Sequence, residues 1–282
     1  MIEWLLQPFA FEFMQRGLLA SLLVGVLCAV IGCYVVLRSM AFLGDALAHA
    51  ILPGVAVAYL MGADLMIGAL IAAVFVALGV GFITRSGVVK EDTAIGILFA
   101  AALSLGVVLI SSIRTSAADL SHILFGNVLG VSPQNLWITA GITVGVLAVL
   151  VVLYRPFLVI SFDPVLAATL RFPREVLRNL LLVLLSLTVV VSMQTVGIGL
   201  VAAMLVTPGA TAYLLARRLP RMMLTAAGLG ALSSVIGLYL SYYANVASGA
   251  AVVLVATAFF LLAFLFAPQR GLLWRSRGAH AH

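Results

Sequence analysis

The sequence predicts an all-α protein that crosses a membrane about eight or nine times. Of 282 residues, 65% are hydrophobic and 9% charged, and the mean hydropathy is +1.28. No water-soluble domain is built this way. Apolar runs of about 20 residues, the length that spans the hydrocarbon core as a helix, recur along the whole chain. They leave no room for a separate soluble domain, so residues 1–282 read as one membrane domain. The few basic residues cluster in the short segments between alternate runs, as cytoplasmic loops require.

In chain order, the first span is expected at 17–37, between Arg16 and Arg38. Residues 1–16 carry Glu3 and Glu12 and lack a basic start and a cleavage site, so they read as an outer N-terminal segment rather than a removable signal peptide. The second span, 40–60, holds Asp45 and His49, with Pro53 and Gly54 a turn later to kink the helix and free carbonyls. The third, 65–83, follows Asp64, and the fourth, 93–113, ends before Arg114. Residues 114–133 then form an outer segment with polar ends and a short apolar middle, expected at the interface or as a short re-entrant helix. The fifth span is 134–154. Residues 155–178 follow as a cytoplasmic segment in which Pro156, Pro164 and Pro173 break regular structure. The sixth and seventh spans are 176–193 and 196–214, the latter expected to break at Pro208; if these two are misdrawn the count is eight. The eighth and ninth are 222–241 and 249–267, and 269–282 is a polar cytoplasmic tail.

Orientation follows from charge. Placing Arg38, Arg85, Lys90, Arg155, Arg171, Arg174, Arg178, Arg217, Arg218, Arg221, Arg270, Arg275 and Arg277 inside leaves only Arg16 and Arg114 outside, together with Glu3, Glu12, Asp64 and Asp119. Every span then alternates consistently, with the N-terminus outside and the C-terminus in the cytoplasm. The net charge of +6 is therefore a loop signal, and no aromatic-basic patch of the nucleic-acid type accompanies it. Cys28 and Cys33, five residues apart, fall on different helix faces and read as small core residues rather than a disulfide or metal pair. Met40 and Met193 read as packing residues.

The chemistry centres on Asp45 and His49. Four-residue spacing puts both on one helix face. Ionisable groups at membrane depth are costly and face a polar pathway or a partner. They sit about one and two turns above the inner start of the second span. A packing hydrogen bond is the plain alternative; a half-built metal site is the functional one. A symmetric homodimer with this helix on its axis would double the set to four oxygen and nitrogen ligands. Such a set suits Mn²⁺, Fe²⁺ or Zn²⁺, and the acidic oxygens tilt it toward harder ions. His122 is either a transient outer ligand or a surface residue, and His280 and His282 read as incidental. In VTPGATAYLLARRLPR (206–221), Thr207 can cap and Pro208 can open a short helix ending at Arg217 and Arg218, stopped by Pro220. That helix is either a partner-docking element or an ordinary connection. The only lysine is Lys90, with no phosphate-binding loop before it, so this chain is not an ATPase, and no catalytic set is visible.

RSMAFLGDALAHAILPGVAVAYLMG, DTAIGILF, DLSHILFGNVLGV, TVGIGLVAAMLVTPGATAYLLARRL and ASGAAVVL resemble, in order, the membrane permeases of bacterial ABC importers for manganese, zinc and iron, over about residues 14–268. The resemblance implies a type II ABC importer-like permease that forms a homodimer in the bacterial plasma membrane. It also implies two cytoplasmic ATP-binding subunits and an extracytoplasmic metal-binding protein. The transported ion would be Mn²⁺, with Zn²⁺ or Fe²⁺ as alternatives, and no permanently bound cofactor is implied. Asp45 and His49 match the family's intramembrane pair. Gly209, Ala210, Thr211, Ala212, Tyr213, Leu214, Leu215, Ala216, Arg217 and Arg218 match its ATPase-docking helix. The outer loop with Asp119, His122, Phe125, Gly126 and Asn127 looks like the surface that receives the binding protein. HAILPGVAVAY and SHILFGN look more like the manganese/iron branch than the zinc branch. A permease for a siderophore, haem or vitamin, and a stand-alone ion-driven transporter with Asp45 as proton relay, are the competing readings. The first leaves the Asp–His pair hard to explain; the second favours inverted repeats, and none is visible.

Overall fold

The computed structural model describes residues 11–112, 130–162, 169–170 and 172–267. Among them there are eleven helices of eight or more residues and no strand. They are α1 (Glu12–Leu37), α2 (Leu43–Ala50), α3 (Leu52–Met61), α4 (Leu65–Ile83), α5 (Glu91–Ser111), α6 (Pro133–Val152), α7 (Tyr154–Phe162), α8 (Arg174–Val196), α9 (Ile198–Leu215), α10 (Leu219–Ala244) and α11 (Ser248–Phe266). With α2 and α3 taken as one span, nine are long and apolar enough to cross a membrane, each within a few residues of its expected position.

Helix starts follow the sequence signals. Asp64 caps α4, accepting from the N–H of Met66 at 2.7 Å and of Ile67 at 3.2 Å, and Ser132 caps α6 through Asn135 N–H at 3.2 Å. Glu91 and Asp92 occupy the first turn of α5, where the helix dipole favours negative charge.

Burial sorts the bundle into centre and rim. About 72% of α1 and of α8 is buried, against 22% of α5, α6 and α11, whose outer faces expose large apolar side chains such as Val107, Trp137 and Leu261. Such a rim suits lipid, in which association between helices depends on close packing and small residues. Several crossings are tight enough to need glycine, two of them above all. A side chain on Gly32 of α1 would put its Cβ 1.9 Å from the Leu205 carbonyl oxygen of α9. On Gly54 of α3, the Cβ would come within 2.1 Å of the Gly68 carbonyl oxygen of α4. Cys28 and Cys33 are free and buried, and Met40 and Met193 are buried in the core.

Two expectations are corrected. The seventh span does not break at Pro208: α9 runs from Ile198 to Leu215 with Pro208 inside it. A proline costs one backbone bond, whereas ending the helix there would leave several polar groups unpaired in apolar surroundings. Accordingly no separate helix occupies 209–218. Gly209–Leu215 is the last part of α9, Ala216 and Arg218 are extended, and Pro220 opens α10 in its first turn rather than stopping a helix. The segment after the fifth span also begins as a helix, α7, because Pro156 lies in its first turn, where its missing N–H would have no partner.

Candidate functional site

The site is built where α2 meets α5. Asp45 lies in the first turn of α2 and His49 in its last. His49 Nε2 stands 3.7 Å from Asp45 Oδ1, an ion-pair distance longer than a hydrogen bond. Neither side chain is buried: Asp45 is 53% and His49 36% exposed, at a level where most of α2 is core. Both side chains therefore present polar atoms outside the buried core of the chain. His49 leans on the Phe99 ring, centroids 5.9 Å apart at 52°.

The local chain geometry holds the pair at the edge of a kink. Pro53 has no N–H to return to the His49 carbonyl, and α2 yields to α3 at Ile51, whose N–H donates to that carbonyl. Behind the pair, Gly44 packs against the Leu205 side chain of α9, where a Cβ would lie 2.7 Å from Leu205 Cδ1.

A cleft of about 190 Å³ opens beside Asp45. Phe42, Asp45 and Ala46 form one wall, and Asp92, Ile95, Gly96 and Phe99 of α5 form the other. The α5 wall is a single helical face, since residues three, four and seven apart stack on one side.

The end of the bundle around this cleft is rich in arginine. Arg38, just past α1, reaches Glu91 of α5 at 2.6 Å. Burial pushes the Arg38 guanidinium below its ordinary pKa, and the Glu91 carboxylate pulls it back up. Arg85 pairs with Glu175 at 2.8 Å. Arg178, only 9% exposed, donates to the Gly81 carbonyl at 2.5 Å, satisfying one of the carbonyls left open at the end of α4. The Asp92 side chain has no hydrogen bond or ion pair to another described residue.

The structure brings together Asp45 and His49 as expected, and adds Phe99 and Asp92, which sequence reasoning did not single out. The only signal for them was the DTAIGILF run, which begins at Asp92 and ends at Phe99. No group of three or more metal-binding side chains occurs among the described residues. Arg217 and Arg218 lie between α9 and α10, at the end of the span. Asp119, His122, Phe125, Gly126 and Asn127 fall outside the described residues, as do His280 and His282.

Comparison with known proteins gives a consistent picture. Residues 10–267 match the ABC 3 transport family. The chain is 51% identical to the "Manganese transport system membrane protein MntC" of Halalkalibacterium halodurans, over 97% of this chain and 94% of that one. It is 44% identical to the "Manganese import system permease protein ScaB" of Streptococcus parasanguinis, over 92% of each. Among solved structures, "PsaBC from Streptococcus pneumoniae in complex with Fab" superposes with a TM-score of 0.85 at 40% identity, covering 98% of this chain and all of that one.

Proposed function

The chain belongs to the ABC 3 transport family, and we infer that it is the membrane-spanning permease subunit of an ATP-driven manganese importer. The observation that carries the transport mechanism is the open Asp45–His49 pair, two unburied ionisable side chains beside a cleft inside an apolar span. A carboxylate and an imidazole suit a first-row divalent ion, and the absence of thiolate from the pair suits a hard one such as Mn²⁺. Two ligands per chain hold an ion weakly, and a homodimer with α2 at its interface would supply four. A set of that size holds an ion in passage and still releases it.

In this reading the binding protein delivers the ion outside, to a face that includes the outer loop from Asp119 to Asn127. ATP is bound and hydrolysed by two separate cytoplasmic subunits, since this chain has no phosphate-binding loop. Those subunits engage the end of α9 and the turn that follows, Gly209–Arg218, whose Arg217 and Arg218 offer charge at the inner surface. The arginine-rich end of the bundle, with Arg38, Arg85, Arg174 and Arg178, faces the cytoplasm of a bacterial plasma membrane, and the N-terminus lies outside.

The test is uptake of labelled Mn²⁺ by cells making the permease, its ATPase and its binding protein, with excess Zn²⁺ as competitor. Wild type is compared with Asp45→Asn and His49→Ala at matched membrane levels. Loss of uptake in both variants, with wild-type uptake resisting Zn²⁺, is the expected result. Unchanged uptake in both variants would move the ion's route away from the pair.

A further inference from the structure

We propose that Asp92 is a further residue of the ion pathway, a carboxylate at the inner mouth of the Asp45 cleft that receives the divalent ion as it leaves. The inference rests on the Asp45–His49 reading and extends it. Asp92 and Asp45 face the same cleft from opposite walls, one in the first turn of α5 and the other in the first turn of α2. Between and above them the lining is Phe42, Ala46, Ile95, Gly96 and Phe99, which offers an ion no side-chain ligand. Within this cleft, then, the oxygen ligands are these two carboxylates.

The surrounding charges distinguish Asp92 from an ordinary acidic residue at a helix start. The same end of the bundle carries Arg38, Arg85, Arg174 and Arg178. Glu91 is committed to Arg38 and Glu175 to Arg85. Asp92 is exposed, has no such commitment among the described residues, and lines the cleft. An uncommitted carboxylate at the edge of the cleft lowers the electrostatic barrier to a departing cation and replaces lost ligand oxygens while water rejoins the ion. The Arg38–Glu91 pair has a positioning role here. It ties the first turn of α5 to the end of the central helix α1, which fixes where the neighbouring Asp92 stands.

The experiment uses the complete importer, with its ATPase and binding protein, in proteoliposomes. Initial Mn²⁺ uptake and ATP hydrolysis are measured together across a range of metal-loaded binding protein, for wild type, Asp45→Asn, Asp92→Asn, Asp92→Ser and Asp92→Glu. The expected result is that Asp92→Asn and Asp92→Ser each lower maximal uptake about tenfold. The half-saturating concentration and the stimulated ATP hydrolysis stay at wild-type values, and Asp92→Glu restores uptake. Asparagine and serine both remove the charge that favours this first turn, so retained assembly and ATP hydrolysis are what separate an ion-pathway role from a structural one. If Asp45→Asn abolishes uptake while Asp92→Asn transports at the wild-type rate, the Asp92 role is overturned and the Asp45 site stands. If Asp45→Asn transports normally, both fall. If the Asp92 variants fail to assemble, lose ATP hydrolysis along with uptake, or are not rescued by glutamate, Asp92 serves the fold alone and the proposal is overturned.

Discussion

Arg178 shows how one side chain can be fixed by its surroundings. It is an arginine inside an apolar helix, and its guanidinium ends on the Gly81 carbonyl instead of in a loop. Replacing it with methionine keeps the stem but leaves that carbonyl only the longer bond from the Thr84 hydroxyl, at 3.4 Å. A lost hydrogen bond to a charged group costs about 1.5–3 kcal/mol, so Arg178→Met is expected to lower the midpoint of thermal unfolding in detergent while leaving the helices intact by circular dichroism. A wild-type midpoint would show that water replaces the guanidinium there. The sequence assigned Arg178 to the positive cytoplasmic rim by type, but could not find its partner, which lies 97 residues away on another helix. Arg38 and Glu91 were hidden for the same reason, at a separation of 53 residues. Asp45 and His49 were legible as a pair because they sit about one turn apart on one helix, where spacing alone fixes their relative placement.

At the level of elements, hydropathy located the spans well because length and apolarity are properties of a contiguous run. It failed at Pro208 and at Pro156, where the outcome depends on position within a helix and on the cost of the alternative rather than on residue type. Contacts between helices were also out of reach of pattern alone. The α1–α9 crossing is set by backbone proximity at Gly32 and Leu205. Gly32→Ala places a methyl group where the carbonyl of Leu205 already stands, and overpacking of this kind costs about 1–3 kcal/mol. Because backbone has to move, the expected result is a lower yield of folded protein and a depressed thermal midpoint. The same substitution at Gly96, where an added Cβ meets nothing within 4 Å, serves as the measured control for helix stability alone.

As a whole molecule, the chain is a central pair of helices, α1 and α8, wrapped by spans whose outer faces are apolar. Among the described residues, the α2–α5 cleft opens into this wrap beside Asp45, and the proposed ion site there has two ligands from each copy. That sharing has a genetic consequence. If two copies share one ion, a defective copy spoils the site it shares, whatever the health of its companion. In cells making equal amounts of wild-type and Asp45→Asn permease, random pairing leaves about a quarter of the dimers with both carboxylates. Manganese uptake should then fall well below half, not to half, so the mutant allele behaves as dominant. Uptake at half the wild-type rate would mean that each copy carries its own ion.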